Sequence, residues 1–86
     1  MKEEKELRIL FAEDVPTDAE LAEKEIRKSG IEFTSMRVDA KENFLHALEG
    51  FQPDLIISDY KMPSFDGMQA MELSKKHDST IPFIIL

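Results

Sequence analysis

Eighty-six residues suffice for one domain that buries roughly 60 to 65 % of its unfolded surface, which leaves room for a single functional centre. Hydrophobic residues at 42 % and charged residues at 34 %, with three Gly and four Pro, exclude a disordered or low-complexity chain. Eighteen acids against eleven bases give a net charge of −7, which argues against nucleic-acid binding, and the absence of cysteine excludes disulfides, thiolate metal sites and Cys nucleophiles.

Residues 1–6 (MKEEKE) read as a polar tail without the apolar core of a signal peptide, and no apolar run approaches membrane-spanning length. A cytoplasmic protein that does not engage membranes is expected. Leu7 to Ala12 form an apolar strand with one Arg, closed by Glu13 and Asp14. Pro16, Thr17 and Asp18 then open a helix that ends with Lys24, Arg27 and Lys28 and stops at Gly30. Its Ala19, Ala22 and Ile26 share one face, a narrow stripe suited to lying close on a sheet.

Residues 33–38 alternate Thr34, Met36 and Val38 and suit an edge strand. Asp39 with Glu42 predicts a capping box, opening a helix that buries Phe44, Leu45 and Leu48 and stops at Gly50. The run Leu55, Ile56, Ile57 has no alternation, so both faces of that strand should be covered, and Asp59 closes it. A loop punctuated by Pro63 and Gly67 leads to a third helix, with Asp66 at its start and Met68, Met71 and Leu73 facing inward, ending near His77. Residues 81–86 form a fourth strand with Pro82 near its start.

The βαβαβαβ pattern implies an α/β fold with a parallel sheet, right-handed crossovers and helices on both faces. Ligands in such sheets bind beyond the carboxyl ends of the strands, where the chain order reverses. Glu13, Asp14 and Asp59 fall there. So much negative charge at one sheet edge calls for a cation or a proton, and a hard divalent metal is the prime candidate.

The acidic pair after the first strand, Asp59 after the third, the run Lys61, Met62, Pro63, and Gly67 eight residues past Asp59 together resemble the receiver domain of two-component response regulators, a CheY-like family. The run from Glu13 to Glu20 and that from Ser58 to Pro63 most resemble receivers joined to sensor histidine kinases or PAS modules. The resemblance implies a flavodoxin-like three-layer sandwich with sheet order 2-1-3-4. It makes Asp59 the phosphoacceptor, taking a phosphoryl group from a histidine kinase or phosphotransfer domain. Asp14, Asp59 and the Lys61 carbonyl would bind Mg²⁺, Glu13 would act through water, and Met62, Pro63 and Gly67 would shape the loop.

The family continues past the fourth strand with a Ser or Thr and a Lys that contact the phosphoryl group, followed by further elements. The sequence ends at Leu86, so residues 7–86 are expected to be a truncated receiver with impaired switching. The fourth strand is then an apolar edge, which predicts self-association. A second reading is a non-phosphorylated interaction module. A third, a phosphohydrolase with an Asp nucleophile, is disfavoured because Lys61 stands where those enzymes carry a second Asp. His46 and His77 each lack a second His at ligand spacing and read as surface residues.

Overall fold

The computed structural model describes residues 6–86, so most of the N-terminal tail lies outside the described residues. The elements run β1 (Leu7–Ala12), α1 (Pro16–Lys28), β2 (Phe33–Val38), α2 (Lys41–Gly50), β3 (Leu55–Ser58), α3 (Gly67–His77) and β4 (Phe83–Ile85). The four strands form one parallel sheet in the order β2-β1-β3-β4. β2 is an edge strand, as its half-apolar sequence implies.

Alternation along β1 divides the core in two. Ile9 and Phe11 pack with Phe33, Ile57 and Ala19 of α1, and Ala22 and Ile26 complete that layer. Leu10 and Ala12 face the opposite side, where Ile56, Phe44, Ala47, Leu48 and Ala70 meet. Both faces of β3 are thus covered, Ile56 by one cluster and Ile57 by the other. α1 lies on one face, and α2 and α3 lie on the other.

Pro16 sits in the first turn of α1, and Arg27 and Lys28 sit in its last, where cations favour the helix dipole. Gly30 follows with φ +90°, a left-handed stop that glycine adopts without strain. Asp66 caps α3 through a full capping box, its carboxylate accepting from the Gln69 N–H at 2.9 Å while Gln69 Oε1 accepts from the Asp66 N–H at 3.1 Å.

Three expectations about the helices are corrected. The capping box at Asp39 and Glu42 does not form: the N-cap of α2 is Ala40, in extended conformation with no side-chain cap, and Asp39 faces Arg37 instead. Leu45 is 38 % exposed, and Ala47 takes the inward position, so the buried face of α2 is Phe44, Ala47 and Leu48. In α3 the buried face is Gly67, Ala70 and Ser74, while Met68 is 44 % exposed and Met71 half-buried. The helix rests on its small residues, which bring its axis close to the sheet. Leu73 packs against the core from the side. The final strand is shorter than residues 81–86, spanning Phe83–Ile85.

Candidate functional site

The register of the sheet brings the acids together. Ala12 is paired with both Val38 and Ser58, so the residues that follow all three strands emerge at one edge. Backbone hydrogen bonds fix this edge: the Glu13 N–H donates to the Val38 carbonyl at 3.0 Å and the Asp59 N–H to the Ala12 carbonyl at 2.9 Å. β1 has β2 on one side and β3 on the other, reached by crossovers over opposite faces. The acids therefore occupy the topological switch point.

Carboxylate oxygens of Glu13, Asp14 and Asp59 lie within 4.8 Å of one another. All three residues are partly buried. The Glu13 carboxylate accepts from the Val15 N–H at 3.2 Å, which serves the start of α1 where the N-cap side chain cannot. Its pKa is nonetheless raised, first by loss of water and further by the negative charges of Asp59, Asp18 and Asp14, with the Val15 N–H opposing. The cluster repels itself. Three carboxylates in reach of one point form an all-oxygen donor set suited to a hard divalent cation.

The loop after Asp59 is held tightly. The Gly67 N–H donates to the Tyr60 carbonyl at 2.8 Å, and the buried Ser58 hydroxyl donates to the Asp59 carbonyl at 2.8 Å. A Cβ on Gly67 would stand 2.8 Å from the Asp59 carbonyl oxygen and 3.2 Å from the Tyr60 Cα. Glycine is required here by the close approach of α3 to the peptide that carries Asp59. Met62 is buried in the core, as is Phe65, whose ring lies 5.6 Å from that of Phe44. Pro63 is exposed, and with Lys61, Met62 and Asp66 it lines a shallow depression in this loop. Among the described residues no hydrogen bond falls on the Lys61 carbonyl. His46 and His77 are both exposed and lie away from the cluster, on α2 and at the end of α3.

Residues 9–86 match the family described as the response regulator receiver domain. The chain belongs to that family. Among solved structures, a response regulator from Chloroflexus aurantiacus superposes with a TM-score of 0.81 at 26 % identity, covering 94 % of this chain and 66 % of its own. The receiver domain of a sensor histidine kinase from Pseudomonas aeruginosa, described with magnesium coordinated in its active-site cleft, gives a TM-score of 0.77 at 23 % identity with the same coverage, 94 % and 66 %. In sequence, the DNA-binding transcriptional regulator NtrC of Proteus hauseri is 40 % identical over 42 residues, which is 49 % of this chain and 9 % of that protein. The chain therefore spans less than two thirds of the length of each of these relatives. Its sheet order and three helices are those of the flavodoxin-like receiver fold, a signalling domain and not a typical enzyme.

Beside these acids the receiver carries contacts that sequence inspection missed. Arg37 donates to the Glu13 carbonyl at 3.0 Å, and the Ser64 hydroxyl donates to the Asp39 carbonyl at 2.7 Å. Each joins residues more than twenty positions apart, so no local pattern announces them. The one available signal was the Arg within an otherwise uncharged strand, Phe33 to Val38.

Proposed function

We propose that this chain is a phosphoacceptor: Asp59 takes a phosphoryl group from the phosphohistidine of a kinase or phosphotransfer domain, with Mg²⁺ held by Asp14, Asp59 and the Lys61 carbonyl. One observation supports this above all, the meeting of Glu13, Asp14 and Asp59 at the switch point of a receiver sheet. The donors suit the ion, since Mg²⁺ takes one or two carboxylates, a carbonyl and waters in an octahedral oxygen shell. The magnesium described in the P. aeruginosa receiver agrees with that choice.

In the step proposed, an Asp59 carboxylate oxygen attacks phosphorus, an O–P bond forms, and the P–N bond to the histidine breaks. The histidine nitrogen keeps the electron pair of the broken bond, and the ring takes one proton from solvent to leave as neutral imidazole. Asp59 is the nucleophile, and a carboxylate forms an acyl phosphate of this kind. Asp14 would hold the cation with Asp59, and Glu13 would act on it through water. Met62, Pro63 and Gly67 hold the Asp59 loop in shape. Mg²⁺, when bound, supplies charge neutralisation between the carboxylates and the phosphoryl oxygens.

Incubating the chain with acetyl phosphate and Mg²⁺ tests the reading. Intact mass should increase by one phosphoryl group, and Asp59→Asn or removal of Mg²⁺ should abolish the gain. No adduct on a chain that still binds the cation would favour an interaction module instead. Self-association and a cytoplasmic setting are also proposed. The former is supported by β4, an edge strand with Ile84 44 % exposed.

A further inference from the structure

Three loops leave the carboxyl edge of the sheet around the acidic cluster, and side chains outside the cluster tie them together. Arg37 on β2 donates through Nη1 to the Glu13 carbonyl at 3.0 Å and pairs through the same nitrogen with the Asp39 carboxylate at 3.6 Å. The Asp39 carbonyl in turn accepts from the Ser64 hydroxyl at 2.7 Å. Ser64 belongs to the loop that begins at Asp59. The peptides carrying Glu13 and Asp14, Asp39, and Asp59 to Asp66 are thereby linked.

Stability alone is a weak reason for this arrangement. The Arg37 and Asp39 side chains are 35 % and 48 % exposed, and ion pairs that open to water contribute little to folding. What the guanidinium does is more local. The β1–β2 ladder ends where Ala12 meets Val38, so the Glu13 carbonyl lies beyond the last strand partner and is left to Arg37. Its own N–H is already bound to Val38. Glu13 is held from both sides, and with it the peptide bond that leads to Asp14.

We propose that Arg37, together with Asp39 and Ser64, is a positioning residue for the cation site, fixing the Glu13–Asp14 peptide against the Asp59 loop; this rests on reading the acidic cluster as a cation site. Partners outside a metal's ligand shell commonly govern affinity by holding ligands in place. Two effects of Arg37 have opposite signs, and this makes the inference testable. A guanidinium repels a divalent cation, so loss of its charge alone tightens binding. Loss of a positioning contact weakens it.

The experiment is Mn²⁺ titration of the 86-residue chain, with free Mn²⁺ followed by electron paramagnetic resonance. Wild type should bind, and Asp14→Ala should not. Arg37→Ala should weaken binding by on the order of 10-fold, the low end of what outer partners contribute. Arg37→Lys, which keeps charge but not the fork, should fall between. Ser64→Ala changes no charge and sits far from Arg37 in sequence; it should weaken binding by a smaller factor, with melting in EDTA close to wild type. Should Arg37→Ala fold poorly, Ser64→Ala and Arg37→Lys carry the test. Unchanged or tighter Mn²⁺ binding in Arg37→Ala and Ser64→Ala, with wild type binding normally, overturns the positioning role. Failure of wild type itself to bind Mn²⁺ overturns the cation site on which it rests.

Discussion

The peptide that carries Asp59 is approached closely by the start of α3, and the residue that permits this is Gly67. Alanine there would press its Cβ against the Asp59 carbonyl oxygen and the Tyr60 Cα, backbone atoms that cannot swing aside as a side chain could. Gly67→Ala should therefore cost about 1–3 kcal/mol of stability, the range for overpacking, read from urea unfolding. An unchanged midpoint would show that the loop yields. Charge at the same edge gives a pH signature. The Glu13 pKa is raised in the folded state, so the fold binds that proton more readily than the unfolded chain does. Its unfavourable contribution is absent below the ordinary glutamate pKa of 4.5 and grows as pH rises through the raised value. Asp78 behaves oppositely: two hydrogen bonds from Thr80 lower its pKa, so its contribution is present above 3.8 and lost as pH falls through the folded value. In EDTA, the stability of Glu13→Gln relative to wild type should thus increase from pH 4 to pH 7, and that of Asp78→Asn should decrease as pH rises from acid. A difference that does not vary with pH would contradict either assignment. The three clustered acids were legible in the sequence because they stand directly after apolar runs. Arg37 and Ser64 were not, because their value lies in contacts made across the sheet.

Helix existence followed from turn chemistry, but the choice of helix face did not always follow. α3 packs through Gly67, Ala70 and Ser74, residues that carry little hydropathy, and so Met68 and Met71 drew the inward assignment that the small residues hold. Burial of Phe65 was equally hidden, since a loop gives no period from which to read a face. At α2 the cap was displaced by one residue. Asp39 has the right chemistry for capping, yet Arg37 engages it and the helix begins after Ala40, which offers no side-chain acceptor. Ala40 is already extended, as an N-cap should be. Ala40→Ser should then stabilise the fold by about 1 kcal/mol, visible as a higher melting temperature. A lower one would show that the hydroxyl cannot reach the first-turn N–H groups. Asp66→Ala is the converse case, removing a complete capping box from α3.

For the molecule as a whole, βα alternation implied a parallel sheet with right-handed crossovers, and the order of its strands was legible through the resemblance to receiver domains. The convergence of residues forty-six positions apart is a direct product of that order: Ala12 and Ser58 are register partners, and the next residues, Glu13 and Asp59, must emerge side by side. β4 closes one edge with an exposed Ile84. Sedimentation at micromolar concentration should show a dimer or larger species, and Ile84→Lys, which places a charge on that edge, should shift it to monomer. A well-folded wild-type monomer would reject association through β4. The central claim is that the three acids make one cation site. Thermal melting of the chain across a Mg²⁺ series tests it most directly, because a ligand that binds only the folded state must raise its stability. The melting temperature should climb with Mg²⁺ in wild type and stay flat in Asp14→Ala and Asp59→Asn; a wild-type curve indifferent to Mg²⁺, or the same climb in all three proteins, would contradict it.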